Sequence, residues 1–435
     1  MRTIVTDVFI LGAGAGGFGA CHRLTQGGVS VVIADKNPGL GGTAVFAGVS
    51  CFEPGVSYDG VHLKIAQKLI ENGNGAVQKT VSAYRLFRSD PLECLEGENE
   101  KNYPFGVTEK YPWGLSVNCG EPYENTLKRC KKFCCSPFEW RRFMTDEDAL
   151  SKVMNELILE NKGKCTELFG YSYESCVCKN GVIEAVVLSN SFEKITVKAK
   201  YFIDSSGSIV LARSAGCDLI ETDKNYINGV SLIMRVSRNK APIKLPENLP
   251  PVTEDCIKTL KYRVSCFNMY PDGDININML PTLTGKEYIE LGEDAYNVAL
   301  SRAVAYFKYL QNEKDLSDYG IIKIFPMLGV REDYHLKGKY VLTYEDILRG
   351  IVDNKKYIAI ADHSLDSHGV SNCASGELEK PYGIPIETTM TNEFENLFVV
   401  CRGASFDAVA ASSARLTRTV MSMGEGVADF LINLL

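Results

Sequence analysis

Residues 7–35 read DVFILGAGAGGFGACHRLTQGGVSVVIAD, and the order of features in them decides the fold. Asp7–Leu11 is a short apolar run with the length of a buried strand. The turn Gly12-Ala-Gly14-Ala-Gly16-Gly17 follows at once and gives G-x-G-x-x-G at Gly12, Gly14 and Gly17. Phe18, Cys21 and Leu24 recur with helical spacing, the pattern ends at Gly27-Gly28, and Val29–Ala34 is a second apolar strand closing on Asp35. The glycine pattern alone is weak; strand, turn, helix, strand and acid in this order make a β-α-β unit suited to a dinucleotide. Gly12 permits the tight turn, Gly14 lets a pyrophosphate approach the backbone, and Gly17 allows the helix to pack closely on the strand. Gly16 belongs to the same turn. The helix N-terminus offers unpaired N–H groups and a positive dipole end to phosphate. Asp35 is placed to accept hydrogen bonds from ribose hydroxyls and would repel a 2′-phosphate.

The unit continues from Asp35 through Lys36, Gly39, Gly41, Gly42 and Thr43 to Gly48 and Cys51. A second glycine-rich stretch directly after the second strand resembles flavoproteins, in which the backbone runs beside the ribityl chain and the flavin. The resemblance implies FAD as the cofactor, with Lys36, Gly41, Gly42 and Thr43 beside it. Cys51 ends this stretch and either faces the ring or is an ordinary buried thiol. No second G-x-G-x-x-G occurs, so a separate NAD(P)H domain is not expected.

Composition narrows the function classes. The chain has 435 residues, 45% hydrophobic and 23% charged, an ordinary globular balance. Lys+Arg 47 against Asp+Glu 54 leaves a net charge of −7, without the basic surplus of a nucleic-acid binder. No apolar run reaches the ~18 residues of a membrane span. The start lacks the pattern of a signal peptide. The 15 cysteines are odd in number, which argues for reduced thiols and a cytoplasmic protein rather than a disulfide framework.

Residues 61–72 read as an amphipathic helix. Residues 73–137 are irregular and rich in Gly, Pro, Tyr and Cys, and are expected to form an insertion near the active site. Its Cys119, Cys130, Cys134 and Cys135 do not match zinc or iron–sulfur spacings, so no metal is expected. Asp146–Asn161 is helical. Strand patterns follow at Cys165–Cys178, Val182–Ser189 and Lys194–Ile203, with a hairpin turn at Asn180-Gly181. Cys176 and Cys178 share one strand face, where a hairpin role is preferred to a redox pair. Residues 229–240 and 274–280 read as strands of another sheet, and Asp294–Gln311 as a long helix.

The meander delivers Asp204-Ser-Ser-Gly207-Ser-Ile-Val-Leu-Ala-Arg213, similar to a strand-end turn of FAD-dependent oxidoreductases but departing from it at Ser205 and Ser208-Ile209. Further stretches resemble one broad group of bacterial FAD-dependent oxidoreductases with the glutathione-reductase/fumarate-reductase type of flavin fold. They are Gly329-Val-Arg331-Glu332, Gly338–Asp346, Asp366-Ser-His368, Pro381–Pro385 and Asn396–Arg402, where Cys401 replaces a glycine. Ser405, Arg415 and Gly424 match later positions. The resemblance implies cofactor contacts from Asp204, Gly207, Arg402 and Ser413.

The expected fold is α/β: a Rossmann-like FAD-binding domain, with a parallel sheet, helices and a β-meander, plus a second α+β substrate domain. Segments 1–72, 138–222 and 386–435 form the first, 73–137 the insertion and 223–385 the substrate or cap domain. Asn396–Val400 is expected to re-enter the first sheet. Ser412-Ser413 are expected to cap a final helix with Leu416, Val420, Met423, Val427 and Leu431 on one face. Arg415 would then lie in its first turn, against the dipole, which favours a flavin or anionic-substrate contact over packing. Arg331 is expected to clamp a substrate carboxylate, or to pair with Glu332 or another acid. His368 is expected to move a proton, or else to serve as a loop hydrogen-bonder; His363 is the weaker candidate. Arg331, His368 and Arg415 form the expected catalytic set. The expected reaction is hydride transfer between a small organic substrate and flavin N5. The alternatives are a flavoprotein subunit relaying electrons to a partner, or a dinucleotide-binding protein without turnover. Oligomeric state is left open.

Overall fold

The computed structural model describes residues 2–52, 60–77, 81–82, 143–161, 163–222, 227–261, 266–270, 272–278, 281–313, 316–351, 357–367, 378 and 381–435. Most of the 73–137 stretch, including Cys119, Cys130, Cys134 and Cys135, lies outside these residues, as does His368.

The opening unit forms as its sequence dictates: β1 (Arg2–Leu11), α1 (Ala15–Gln26) and β2 (Val31–Asp35). Val8–Leu11 and all of β2 are buried, as strands of a parallel sheet covered on both faces must be. A seven-stranded sheet is built around them. β1 runs parallel to β2 on one side and to the Lys194–Asp204 strand on the other. The Lys194–Asp204 strand is shared along its length. Its first half pairs antiparallel with Val182–Ser189, and its last residues, Phe202–Asp204, pair in parallel with Leu397–Val399. The C-terminal strand therefore ends beside the glycine turn.

Cys165–Cys178 is not one strand. Cys165–Phe169 pairs in parallel with β2, and Ser172–Lys179 pairs with Val182–Ser189 in the meander. Gly170, at φ +76, separates the two. Alternating side chains look the same in either arrangement, because the partner strand is a tertiary choice.

The end of the chain also differs from expectation. A short helix, Ala408–Ala414, is capped by Asp407, whose carboxylate accepts from the Ala410 amide at 2.7 Å. The long helix is Thr417–Ile432, entered through an extended Leu416. Ser412 and Ser413 lie inside the short helix and cap nothing. Arg415 closes that short helix at its C-terminus, where a cation agrees with the dipole. The expected apolar face is present: Val420, Met423, Val427 and Leu431 are buried. Thr417–Ile432 meets α1 backbone to backbone. A Cβ on Gly19 would lie 2.2 Å from the Met421 carbonyl oxygen, and one on Gly424 would lie 2.2 Å from that of Gly16.

A second apolar core lies under the sheet in which Met234–Ser237 stands between Gly320–Ile324 and Ile275–Asn278, against the Ala295–Glu313 helix. Its buried residues run from Val230 to Leu328. Leu336, Leu342, Ile347, Ala361, Tyr382 and Ile384 belong instead to the first core. Packing thus divides 223–385 near residue 330, because the Ala359–Ala361 and Tyr382–Ile384 ribbon lies on the first core with Thr417–Ile432.

A buried ionic clasp joins the two cores. Arg235, 7% exposed, donates to Asp274 at 2.7 Å, Asp272 at 2.6 Å and Asp146 at 2.9 Å. Asp146 also caps the Glu147–Leu159 helix of the first core. Burial pushes the Asp146 and Asp272 carboxyls up, but hydrogen bonds from Arg235 to Asp146 and from Lys240 to Asp272 outweigh it, and both end below the ordinary 3.8. A lowered folded value means a contribution present above the ordinary value and lost as pH falls below it. Thermal unfolding followed from pH 6 to 3 should therefore show a falling midpoint, with a shallower slope in Asp146→Asn. Among the described residues no helix is long and apolar enough to cross a membrane.

Candidate cofactor and substrate site

A cavity of about 770 Å³ lies between the glycine turn and the second sheet, within the size range of ligand sites. Gly12, Gly14 and Gly16 line part of it. Gly14 is the N-cap of α1 and has no side chain to fill the space; a Cβ there would have only the Gly42 Cα within reach, at 3.8 Å. This is a cradle a side chain would occupy, with the first-turn N–H groups of α1 around it. Gly42, at φ +50, approaches so closely that a Cβ on it would lie 2.7 Å from the Gly14 Cα. It starts the short helix Thr43–Phe46, and both Gly42 and Thr43 line the cavity. Gly17 and Gly41 stand behind that surface. A Cβ on Gly17 would strike the Gly12 carbonyl at 1.9 Å, and the Gly41 amide donates to Ala13 O at 2.8 Å.

Asp35 lines the cavity and also holds the turn. Its Oδ2 accepts from the Ala13 amide at 2.7 Å, and its Oδ1 from the Asn37 amide at 2.8 Å. Carboxylate oxygens accept more than one bond, so capacity for ribose hydroxyls remains. Lys36 is exposed on the same rim. These features fit a bound dinucleotide.

Asp204 does not line the cavity. It is fully buried, with Oδ1 accepting from the Ser206 amide and hydroxyl at 3.0 and 2.7 Å, and Oδ2 accepting from the Ala212 amide at 2.9 Å. Burial raises its carboxyl pKa, opposed by those bonds. It shapes the turn that presents Gly207, which lines the cavity at φ +82. Arg402 lies over Gly207 and donates to Asp333 at 3.2 Å. Cys401, in place of the family glycine, lines the same wall, and burial pushes its thiol up to about 12. Cys51 lines the cavity too.

The cavity is also lined by the expected arginines. Arg331 donates to Gly229 O and Ser231 Oγ, both at 2.9 Å. Glu332, the alternative partner considered for Arg331, is buried and accepts from the Asn228 amide and side chain at 3.0 and 2.7 Å. Arg415 donates to Asp366 O at 2.9 Å. Burial draws its guanidinium below the ordinary value, with Asp366 and Glu332 pulling the other way.

Ser413 lies behind the wall. Its hydroxyl donates to His363 O at 2.6 Å and accepts from Tyr382 at 2.8 Å. His363 lines the cavity, with Nδ1 2.6 Å from Ser364 O. Arg418 donates to Ile360 O at 3.1 Å and to Asp362 at 3.0 Å. Sequence reasoning missed the anchoring roles of Tyr382 and Arg418. An arginine interrupting an apolar helix face was the available signal for the second.

A strand–glycine-turn–helix cradle, an acid beyond it and a cavity walled by a second sheet define a dinucleotide-dependent redox fold. A family model described as FAD dependent oxidoreductase matches residues 7–430, and the chain belongs to that family, with FAD as its cofactor. No curated protein matches the chain. Solved structures with similarity include a geranylgeranyl bacteriochlorophyll reductase-like protein from Thermoplasma acidophilum, at 11% identity and TM-score 0.49, covering 99% of this chain and 79% of that one. An L-amino acid deaminase from Proteus myxofaciens has 12% identity and TM-score 0.44, covering 98% and 90%. The p-nitrophenol 4-monooxygenase of Pseudomonas putida has 11% identity and TM-score 0.40, covering 78% and 70%.

Proposed function

We propose that this oxidoreductase transfers a hydride between a small organic substrate and N5 of FAD. The observation that carries the reading is one cavity lined both by the Gly14 cradle and Asp35 and by Arg331, Arg415 and His363. Bound FAD would supply the hydride acceptor or donor. Gly12, Gly14 and Gly16 would receive its pyrophosphate and Asp35 its ribose, while Lys36, Gly42, Thr43, Gly207 and Arg402 border its path. The residues of the second sheet cover the reacting end and keep water from it.

His363 is the proton carrier within the described site. A carbonyl can only accept, so the contact to Ser364 O puts a hydrogen on Nδ1 and leaves Nε2 as the ring nitrogen that would exchange a proton with the substrate. His368, outside the described residues, remains a candidate for the same role.

Purified protein should show the absorption of oxidised flavin and release FAD on denaturation. Anaerobic screening of small organic compounds should find one that bleaches it. Protein that never binds FAD overturns the reading. Flavin that is bleached by a protein donor but by no small molecule favours the electron-relay alternative.

A further inference from the structure

We propose that Arg415 is the receptor for a carboxylate on the substrate, so that the enzyme acts on carboxylic acids. This rests on the hydride-transfer reading above. Four other arginines buried or half-buried in the structure each hold a carboxylate within ordinary charge-assisted distance. Arg235 has Asp274 at 2.7 Å, Arg302 has Glu287 at 2.9 Å, Arg418 has Asp362 at 3.0 Å and Arg402 has Asp333 at 3.2 Å. Arg415 differs. Its side chain is 11% exposed, its short contact is a main-chain carbonyl at 2.9 Å, and the Asp366 carboxylate stands off at 3.7 Å. Among the described residues its Nε is buried without a partner, as is that of Arg402, so the difference lies in the distance to the nearest carboxylate.

A buried guanidinium is costly unless its charge is matched by a close anion. Burial lowers both guanidiniums, but at Arg402 Asp333 and its neighbours outweigh burial and the group ends above its ordinary value, whereas Arg415 ends below. The planar fork of arginine matches a carboxylate with two parallel N–H···O bonds. Position selects the source of that anion. Arg415 lines the same cavity as Arg331, and Arg331 is held by Gly229 and Ser231 of the second sheet region. A substrate carboxylate entering this cavity would supply the close anion that Arg415 lacks.

The test uses the FAD-loaded protein. Acetate, succinate and benzoate are titrated against their uncharged amides while the flavin absorption is followed. At least one acid should perturb the spectrum saturably and its amide should not. Arg415→Gln should weaken that acid on the order of 10²-fold while FAD content and the flavin reduction potential stay unchanged, and Arg415→Lys should recover part of the affinity. The proposal is overturned if no acid of the panel perturbs the flavin, or if Arg415→Gln leaves acid affinity intact. It is overturned equally if the variant lowers the reduction potential with no loss of acid binding, which would place the anion on the flavin itself. A preparation without FAD is a different result, and sinks the hydride-transfer reading beneath the proposal.

Discussion

A Gly14→Val variant is expected to fold normally and to purify without flavin. Gly14 has φ −74 and ψ −167, an extended conformation that valine adopts without strain. Its Cβ would meet no protein atom closer than 3.8 Å, so the new methyl groups enter the cavity and displace only what the cavity should hold. The neighbouring glycines give the control. A Cβ on Gly16 would lie 2.0 Å from the Val400 carbonyl oxygen, and one on Gly17 would lie 1.9 Å from that of Gly12. Backbone cannot yield as a flexible side chain does, so Gly16→Ala should cost about 1–3 kcal/mol or more of stability. Absorption at the flavin band, measured with the thermal midpoint, separates the two outcomes. Gly14→Val should keep the midpoint of the wild-type apoprotein and lose the colour. Gly16→Ala should lose the midpoint. Retention of full FAD by Gly14→Val would show that the pyrophosphate lies elsewhere.

The difference between these two glycines marks what sequence could and could not convey. The strand, glycine turn, helix and second strand of residues 7–35 were legible because each is a local signal, and the return of Leu397–Val399 to the sheet was legible as an apolar run. Roles that depend on what stands opposite were not. Gly14 and Gly17 are equivalent letters of one pattern, yet one faces the cavity and the other the backbone of Gly12. Asp204 ends its strand as a ligand-binding acid would, but its oxygens are taken by Ser206 and Ala212 of its own turn. The break at Arg415-Leu416 carries neither glycine nor proline, so the final helix seemed to begin earlier, and the argument from its dipole placed Arg415 at the wrong end of a helix. The expected contact of Arg415 with the flavin or an anionic substrate is now proposed on different grounds: among the described residues its nearest carboxylate, Asp366, stands at 3.7 Å.

The second large effect is expected at a pair that does not line this cavity. Arg418 and Asp362 are both about 1% exposed and bonded at 3.0 Å. Arg418 also donates to Ile360 O, so one side chain on Thr417–Ile432 fixes the segment that leads into His363. Ser413 and Tyr382 fix the same segment through His363 O, and Arg415 takes the carbonyl of Asp366 at its far end. Arg418→Met removes the cation and strands a buried carboxylate, at a cost of about 3–5 kcal/mol. Replacing both partners, as Arg418→Met with Asp362→Leu, should restore most of that stability, because a well-packed apolar pair is often close to neutral relative to a buried ion pair. The rate of flavin reduction should not return with it. The double variant supplies volume but neither the bond to Ile360 O nor the direction the ion pair gives to the chain, and misplacement of about 1 Å in a reacting group can cost 10²-fold in rate. Denaturant unfolding and stopped-flow reduction, run on wild type, single and double variants, give the two quantities. A double variant that recovers rate as fully as stability would mean that the pair holds the fold alone and that the His363 segment needs no ionic anchor.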